Sequence, residues 1–380
     1  MAQPHVADLL ERVSASDVLQ EAIAIQQIPA PTFHEGARAD YVLKRLSGRG
    51  FAAVARDEIH NVFARLPGAE PARPALLIAA HTDTVFDHDT DLTVQHQEGR
   101  VCGPGLGDNS LGVAALLALA DAFAASDHPP LCDMWFIANV REEGLGDLGG
   151  MRAVMARLGD RLGAAIILEG MGLGRVCRGG IAVRRYKITC TGEGGHSWTH
   201  FGRRSAIHEL MRLGARLTDL HMPDTQRATF NIGLVEGGTS INTIASEASL
   251  YLDLRAERAE ELAALEAQVH ALVDETRASG APCTITRVGD RPPGQLACDH
   301  WLVQSASAAL EAVGITPTWN LASTDANAVL SAGVPAVTLG ITHGENAHRT
   351  DECVMVAPIA LGVRQAMLVA LMALARLATA

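Results

Sequence analysis

Residues 75–85 read ALLIAAHTDTV. The run through Leu76, Leu77 and Ile78 has the apolar character and length of a buried strand. Its far end carries His81 and, two positions on, Asp83. A strand leaving a core ends more cheaply in a polar turn than in a titratable pair, which loses hydration there. Working outward, strands and helices alternate: ALLIAAH, a helix over 110–123, MWFIANV, a helix near 150–158, and AAIILEG. That alternation predicts an α/β fold whose mixed, largely parallel sheet is covered by helices. Upstream, VADLLERV and VLQEAIAIQQI read as helices, then Pro29 and Pro31 precede another around ADYVLKRL.

The pattern changes after Cys177-Arg178-Gly179-Gly180. RRYKITCTG, SAIHELMRLGARLTDL, ATFNIGLV, ASLYLDLRA, ELAALEAQVHALVDETRA and CTITRV read as β-α-β-β-α-β, the order of a ferredoxin-like α+β sandwich. Past Pro292-Pro293 the α/β alternation returns with PTWNL, ANAVLSAG, PAVTLGI and a last helix. The expected organisation is therefore one domain from residues 1–181 and 291–380, with residues 182–290 inserted into it.

The 380-residue chain has 48% apolar but only 4% aromatic residues, so alanine- and leucine-rich helices are expected to do much of the packing. A net charge of −12, with no basic stripe longer than Arg203-Arg204, argues against nucleic-acid binding. Seven cysteines without a CxxC pair read as reduced thiols in a cytoplasmic protein. The N-terminal sequence has no basic and apolar pattern of a secretory signal. Arg364 and Arg376 interrupt the apolar C-terminal segment, which favours a packed helix over a membrane span.

In open α/β sheets, ligand sites form at the carboxyl ends of strands. His81 and Asp83 fall there, as do Glu142 and Glu143 after MWFIANVR, Glu169 after AAIIL, and His343 or His348 after PAVTLGI. Asp108 joins them from the glycine-rich GPGLGDNS. Taken singly, Asp108 is a helix cap and Glu142-Glu143 a solvated loop pair. Gathered at one sheet edge, such groups repel one another unless a cation compensates them. Imidazole and carboxylate ligands suit zinc, and two ions bridged by one carboxylate need about five protein ligands. His81, Asp108, Glu143, Glu169 and one late histidine supply them, leaving Glu142 as a base.

Seven segments carry a family resemblance: AAHTDTVF, GPGLGDNSLGVAALL, REEGLGDLGG, IILEG, GEGGHSWTHFGRRSAIH, GGTSINTIA and HGENAHRTDE. With them the chain resembles, over nearly its whole length, the two-zinc exopeptidase and aminoacylase family, which includes glutamate carboxypeptidase, peptidase T, aminoacylases and succinyl-diaminopimelate desuccinylase. The resemblance implies that His81 and Glu169 hold one zinc, Glu143 and His348 the other, and Asp108 bridges both. AHRTDE selects His348 over His343, although the family more often has Ser where Arg349 stands. Glu142 would be the general base, and Asp83 would orient His81 by accepting its second N–H. The bond after the bridging aspartate is cis in relatives. The inserted domain would be a lid that forms a homodimer, with His196 reaching the neighbouring subunit's site. Asn242 and Arg255 would lie on the substrate side, Arg255 alternatively in a strand-end salt bridge. Asp325, in LASTDANAV, would serve near the site or cap the following helix.

The implied activity is hydrolysis of an amide in a small peptide or N-acyl amino acid, with two Zn2+ ions that Co2+ or Mn2+ can replace. Glu169 in place of Asp leans toward carboxypeptidases and acylases, whereas GLGDLGG and LASTDANAV look closer to peptidase T. Two other readings compete. GPGLGDNS lacks the Lys-Ser/Thr of a phosphate loop and puts Asp108 where an anion would sit. A catalytically inactive binding or regulatory relative would keep the fold without turnover.

Overall fold

The computed structural model describes Leu9 and residues 13–222 and 227–379. The first expected helix, VADLLERV, falls largely outside the described residues. The chain divides into two compact units, Met1–Gly180 with Gly294–Ala380, and Ile181–Pro293.

The first unit is built on a mixed sheet. Its strands are β1 (Ala53–Arg56), β2 (Val62–Leu66), β3 (Ala75–His81), β4 (Met134–Asn139), β5 (Leu162–Met171), β6 (Arg175–Cys177), and two from the end of the chain that are numbered below. In the second unit come β7 (Ala182–Thr191), β8 (Ala228–Gly237), β9 (Glu247–Ala256) and β10 (Cys283–Arg291). The first unit then resumes with β11 (Thr318–Asn320) and β12 (Ala336–Thr342). Its sheet order is β1-β2-β4-β3-β5-β12-β6-β11. The four central strands β4, β3, β5 and β12 are mutually parallel. Antiparallel pairs join β1 to β2, β2 to β4 and β12 to β6.

Every residue of β3, β4 and β12 is buried. Strands covered on both faces read as continuous apolar runs, which is why ALLIAA shows no polar alternation. Cover comes from helices α1 (Ala15–Gln26), α2 (Gly36–Leu46), α3 (Leu111–Ala124) and α4 (Gly149–Leu158). The second unit contributes α5 (Ala206–Leu217) and α6 (Ala259–Ala278), and the first closes with α7 (Trp301–Ala312), α8 (Ala326–Ser331) and α9 (Ile359–Leu377). Leu106–Ala124 and Ile359–Leu377 are long and apolar enough to cross a membrane by length and composition. Leu111, Leu116, Leu117 and Leu119 of α3 and Val363, Met367 and Ala370 of α9 are instead spent on the core of this unit.

The second unit is a four-stranded antiparallel sheet in the order β8-β9-β7-β10. Tyr186, Ile188, Leu250, Leu252 and Leu254 point to one face and pack with Leu210, Leu213, Leu265 and Val269 of α5 and α6. This is the ferredoxin-like order, and period-2 alternation set against helical spacing made it readable.

The expectation that all seven cysteines are reduced is corrected. Disulfides join Cys102 to Cys353 and Cys190 to Cys283, while Cys132, Cys177 and Cys298 are free. Each pair faces across an antiparallel ladder, Arg100–Cys102 against Cys353–Met355 and β7 against β10. Cross-strand neighbours come close enough to bridge. Sequence separations of 251 and 93 residues give no spacing signal for such pairs.

Candidate metal centre

β3 ends on His81, which stands beside Asn139 at the end of β4. Its Nε2 lies 3.2 Å from Asp108 Oδ1 and 3.6 Å from Glu169 Oε2. His348 Nε2 lies 3.0 Å from Asp108 Oδ2 and 3.0 Å from Glu143 Oε1. Asp108 thus offers one oxygen to each histidine. Ligand atoms of His81, Asp108 and Glu169, of Asp108, Glu143 and His348, and of His81, Glu142 and Glu143 each gather within 4.8 Å. His343 belongs to none of these groups among the described residues.

Asp108 is carried by the Leu106–Ser110 turn before α3, and its bond to Asn109 is cis. Asn109 works as a spacer to β5: its Nδ2 donates to Leu168 O at 2.9 Å and its Oδ1 accepts from Gly170 N at 2.8 Å. Those are the two neighbours of Glu169, so one amide side chain sets Asp108 beside Glu169. The approach needs glycine, because a Cβ on Gly170 would stand 2.1 Å from Gly107 O. Glu352 holds the other side, accepting from the N–H groups of Gly107 and Asp108 at 2.6 and 3.0 Å. Within GPGLGDNS, a Cβ on Gly107 would stand 2.8 Å from the Met171 side chain, and Gly105 has a φ of 69°.

Asp83 stands beside His81 but supports more than the imidazole. His81 Nδ1 is 3.1 Å from Asp83's backbone carbonyl and 3.5 Å from its carboxylate. The carbonyl is the nearer acceptor, and it fixes the tautomer that presents Nε2 to Asp108 and Glu169. The carboxylate also accepts the N–H groups of Glu142 and Glu143, each at 2.9 Å, and the Thr32 hydroxyl at 2.9 Å.

The crowded charges move each group's protonation. Burial works against a charged His81, but bonds to Asp108, Asp83 and Glu169 outweigh it and raise its pKa well above the usual value. Bonds to Asp108 and Glu143 push His348 up to about 11. Burial would raise Asp108, yet His348 and His81 hold it well below the usual carboxylate range. Burial and the Asp108 charge push Glu143 up to about 7, and burial lifts Glu169 to about 7 despite the His81 bond. Without another cation, the cluster takes up protons to balance its carboxylates.

Asp325 stands at the start of α8 but makes no capping bond. It is buried, accepts from Asn139 Nδ2 at 2.7 Å, and is raised well above its usual pKa by burial and the Glu142 charge. The capping alternative is thereby corrected; Asp325 braces the end of β4.

His196, Asn242 and Arg255 belong to the second unit. Gly195–His196 pairs with Thr243–Ile244, and Ser197 N donates to Asn242 O at 2.9 Å, so His196 and Asn242 are neighbours. His196 Nδ1 accepts from Trp198 N at 3.2 Å, which leaves the proton on Nε2. Arg255 is paired with Asp253 at 2.7 Å, and Arg185 binds the same carboxylate at 2.8 Å. That is the salt-bridge alternative for Arg255.

Residues 77–372 match the family profile described as peptidase family M20/M25/M40. The chain belongs to this family. It is a metallopeptidase or N-acyl amino acid amidohydrolase by that membership. A succinyl-diaminopimelate desuccinylase of Delftia acidovorans is 24% identical over 68% of this chain and 73% of its own length. The Escherichia coli cytosol non-specific dipeptidase is 30% identical over 63% of this chain and 54% of its own. In fold, the Saccharomyces cerevisiae dipeptidase Dug1p matches with a TM-score of 0.79 at 15% identity, covering 100% of both chains.

The sequence did not single out Glu35, Asn61, Asn109 or Glu352. All of them bind backbone N–H groups of distant segments, and no spacing pattern marks such a partner.

Proposed function

We propose that this M20 protein is a di-zinc hydrolase that cleaves an amide bond of a small peptide or N-acyl amino acid, with Glu142 as general base. One observation carries the reading: Asp108 turns one oxygen toward His81 and the other toward His348. Ligands at ~2.05 Å in a tetrahedral zinc site stand ~3.3 Å from each other. The separations of 3.0–3.6 Å among these atoms suit such a site. His81 and Glu169 would hold one ion, Glu143 and His348 the second, and Asp108 both.

When bound, zinc supplies the charge that brings the pKa of a water to about 7 and polarises the amide carbonyl. Glu142 takes the water's proton and returns it to the departing amine. Its backbone is fixed by Asp83, which sets where the Glu142 side chain starts for both transfers. His196, with Nε2–H free to donate, would bind the developing oxyanion. Because this chain is similar to a desuccinylase and a dipeptidase, N-acyl amino acids and dipeptides head the substrate panel, each tested with zinc, cobalt and manganese. Bound metal without turnover on any of them would favour the inactive binding relative.

Zinc binding should release protons, because His81 and His348 have raised pKa values and must lose their protons to ligate. Below about pH 11 for His348, protons compete with the ion, so affinity should rise with pH. The expected slope is about tenfold per pH unit for each proton displaced, steeper below about pH 7 where Glu143 and Glu169 also carry protons. Calorimetry in buffers of different ionisation enthalpy counts the protons; no release would contradict this ligand set.

A homodimer through the second unit is part of the proposal. β8 pairs only with β9 among the described residues, and Leu234, Val235 and nearby Met211 are exposed, features of an edge that another copy covers. Mixing inactive His196→Ala and Glu142→Gln proteins should restore part of the activity if His196 acts across that dimer. No recovery would place His196 in its own chain's site. We place the protein in the cytoplasm because the Escherichia coli relative is cytosolic by name. The two disulfides count against it, since cytosolic thiols are normally kept reduced, and cell fractionation decides.

A further inference from the structure

The segment that carries Glu142 is held by its own backbone. Four successive N–H groups donate to side chains from three other parts of the chain. Val140 N–H goes to Asn61 Oδ1 at 3.0 Å, and Arg141 N–H to Glu35 Oε1 at 3.1 Å. Those of Glu142 and Glu143 go to the two oxygens of Asp83, at 2.9 Å each. β4 has ended at Asn139, and Arg141, with φ 57°, turns the chain out of extended geometry. A neighbouring strand therefore cannot take these bonds, and buried side chains do.

Glu35 is fully buried just before α2, and its Oε1 also accepts Phe33 N–H at 3.0 Å. That second bond ties the carboxylate to its own segment. One turn into the helix, buried Arg38 donates to Thr82 O at 2.6 Å and to Ile28 O at 2.7 Å. Thr82 is the residue between His81 and Asp83. The start of α2 thus grips the end of β3 through Arg38 and the loop after β4 through Glu35.

We propose that Glu35 is a positioning residue for Glu142, acting as a hydrogen-bond acceptor that fixes the Arg141 peptide and with it the direction in which Glu142 leaves the backbone. The proposal rests on the reading of Glu142 as the base. A base must hold its place to within about half an ångström through both proton transfers. A loop whose amides were bonded to water would not impose that.

The test compares Glu35→Leu, which removes the acceptor, with Glu35→Gln, which keeps a carbonyl oxygen for Arg141 and Phe33. Zinc-loaded Glu35→Leu should lose roughly 10- to 100-fold in kcat, the scale of an ångström-level misplacement, with KM and zinc content unchanged. Glu35→Gln should recover most of that loss. Amide hydrogen exchange on the zinc-free proteins should be faster at residues 140–143 in Glu35→Leu and restored in Glu35→Gln. An unchanged kcat in Glu35→Leu, equal losses in both variants, or a loss confined to KM or zinc content would overturn the proposal. If Glu35→Leu does not fold, Glu35→Asp, which keeps the charge but withdraws the acceptor by one methylene, should show the same loss and the same exchange. Wild-type protein inactive on the whole panel would overturn the hydrolase reading instead. The exchange arm needs no substrate, so unaltered exchange at residues 140–143 overturns the clamp by itself.

Discussion

Glu142→Gln is expected to lower kcat by about 10²- to 10⁴-fold, the range of general acid–base catalysis, while leaving the metal content at the wild-type level. The substitution keeps the shape of the side chain and removes only its capacity to take a proton. The backbone contact that fixes residue 142 is an N–H donated to Asp83, which glutamine retains. The groups that would ligate the ions, His81, Asp108, Glu169, Glu143 and His348, are untouched. Steady-state kinetics with metal analysis on the same preparation checks both halves. Near wild-type turnover would remove Glu142 as the base. Lost metal would instead make it a ligand, a role its place near His81 and Glu143 permits.

Much of this architecture is legible in the sequence for a definable physical reason. Strands buried on both faces, such as 75–81 and 134–139, appear as unbroken apolar runs, and their ends are where titratable side chains stand out. The β-α-β-β-α-β unit was legible because its alternation and helical spacing contrast over long segments. The short outer strands β1, β2 and β6 were missed. At three to five residues they carry too few periods to register, and β1 is not buried at any position.

In the centre, the groups that would touch metal stand at strand ends or in quoted motifs, whereas what their supports bind lies far away in sequence. Glu352 reaches the Gly107 amide across 245 residues of sequence, and Glu35 reaches Arg141 across 106. An acid that acts on a backbone N–H needs no particular residue type opposite it, so nothing in the partner segment announces the pair. Asp83 shows the same effect within a motif. Its spacing from His81 suggested one imidazole contact, and its carboxylate serves in addition two amides and a hydroxyl that only the fold brings near.

Asp108→Ala should abolish binding of both metal ions, whereas His348→Ala should leave close to one ion per chain. The difference follows from how the oxygens are shared. Among the described residues His348 pairs with Asp108 and Glu143 alone, so its loss leaves His81, Asp108 and Glu169 gathered as before. Removing the Asp108 carboxylate takes one ligand from each group and the negative charge that lies between two imidazoles. The turn itself should survive, because Glu352 binds the backbone of residues 107 and 108 and Asn109 binds β5, none of it through the Asp108 side chain. A folded protein with an altered metal count is therefore the outcome to look for, read by elemental analysis after dialysis and by circular dichroism. Two ions retained in Asp108→Ala would dissolve the bridge. One ion retained would assign Asp108 to a single site, leaving the second to Glu143, His348 and a donor not yet identified.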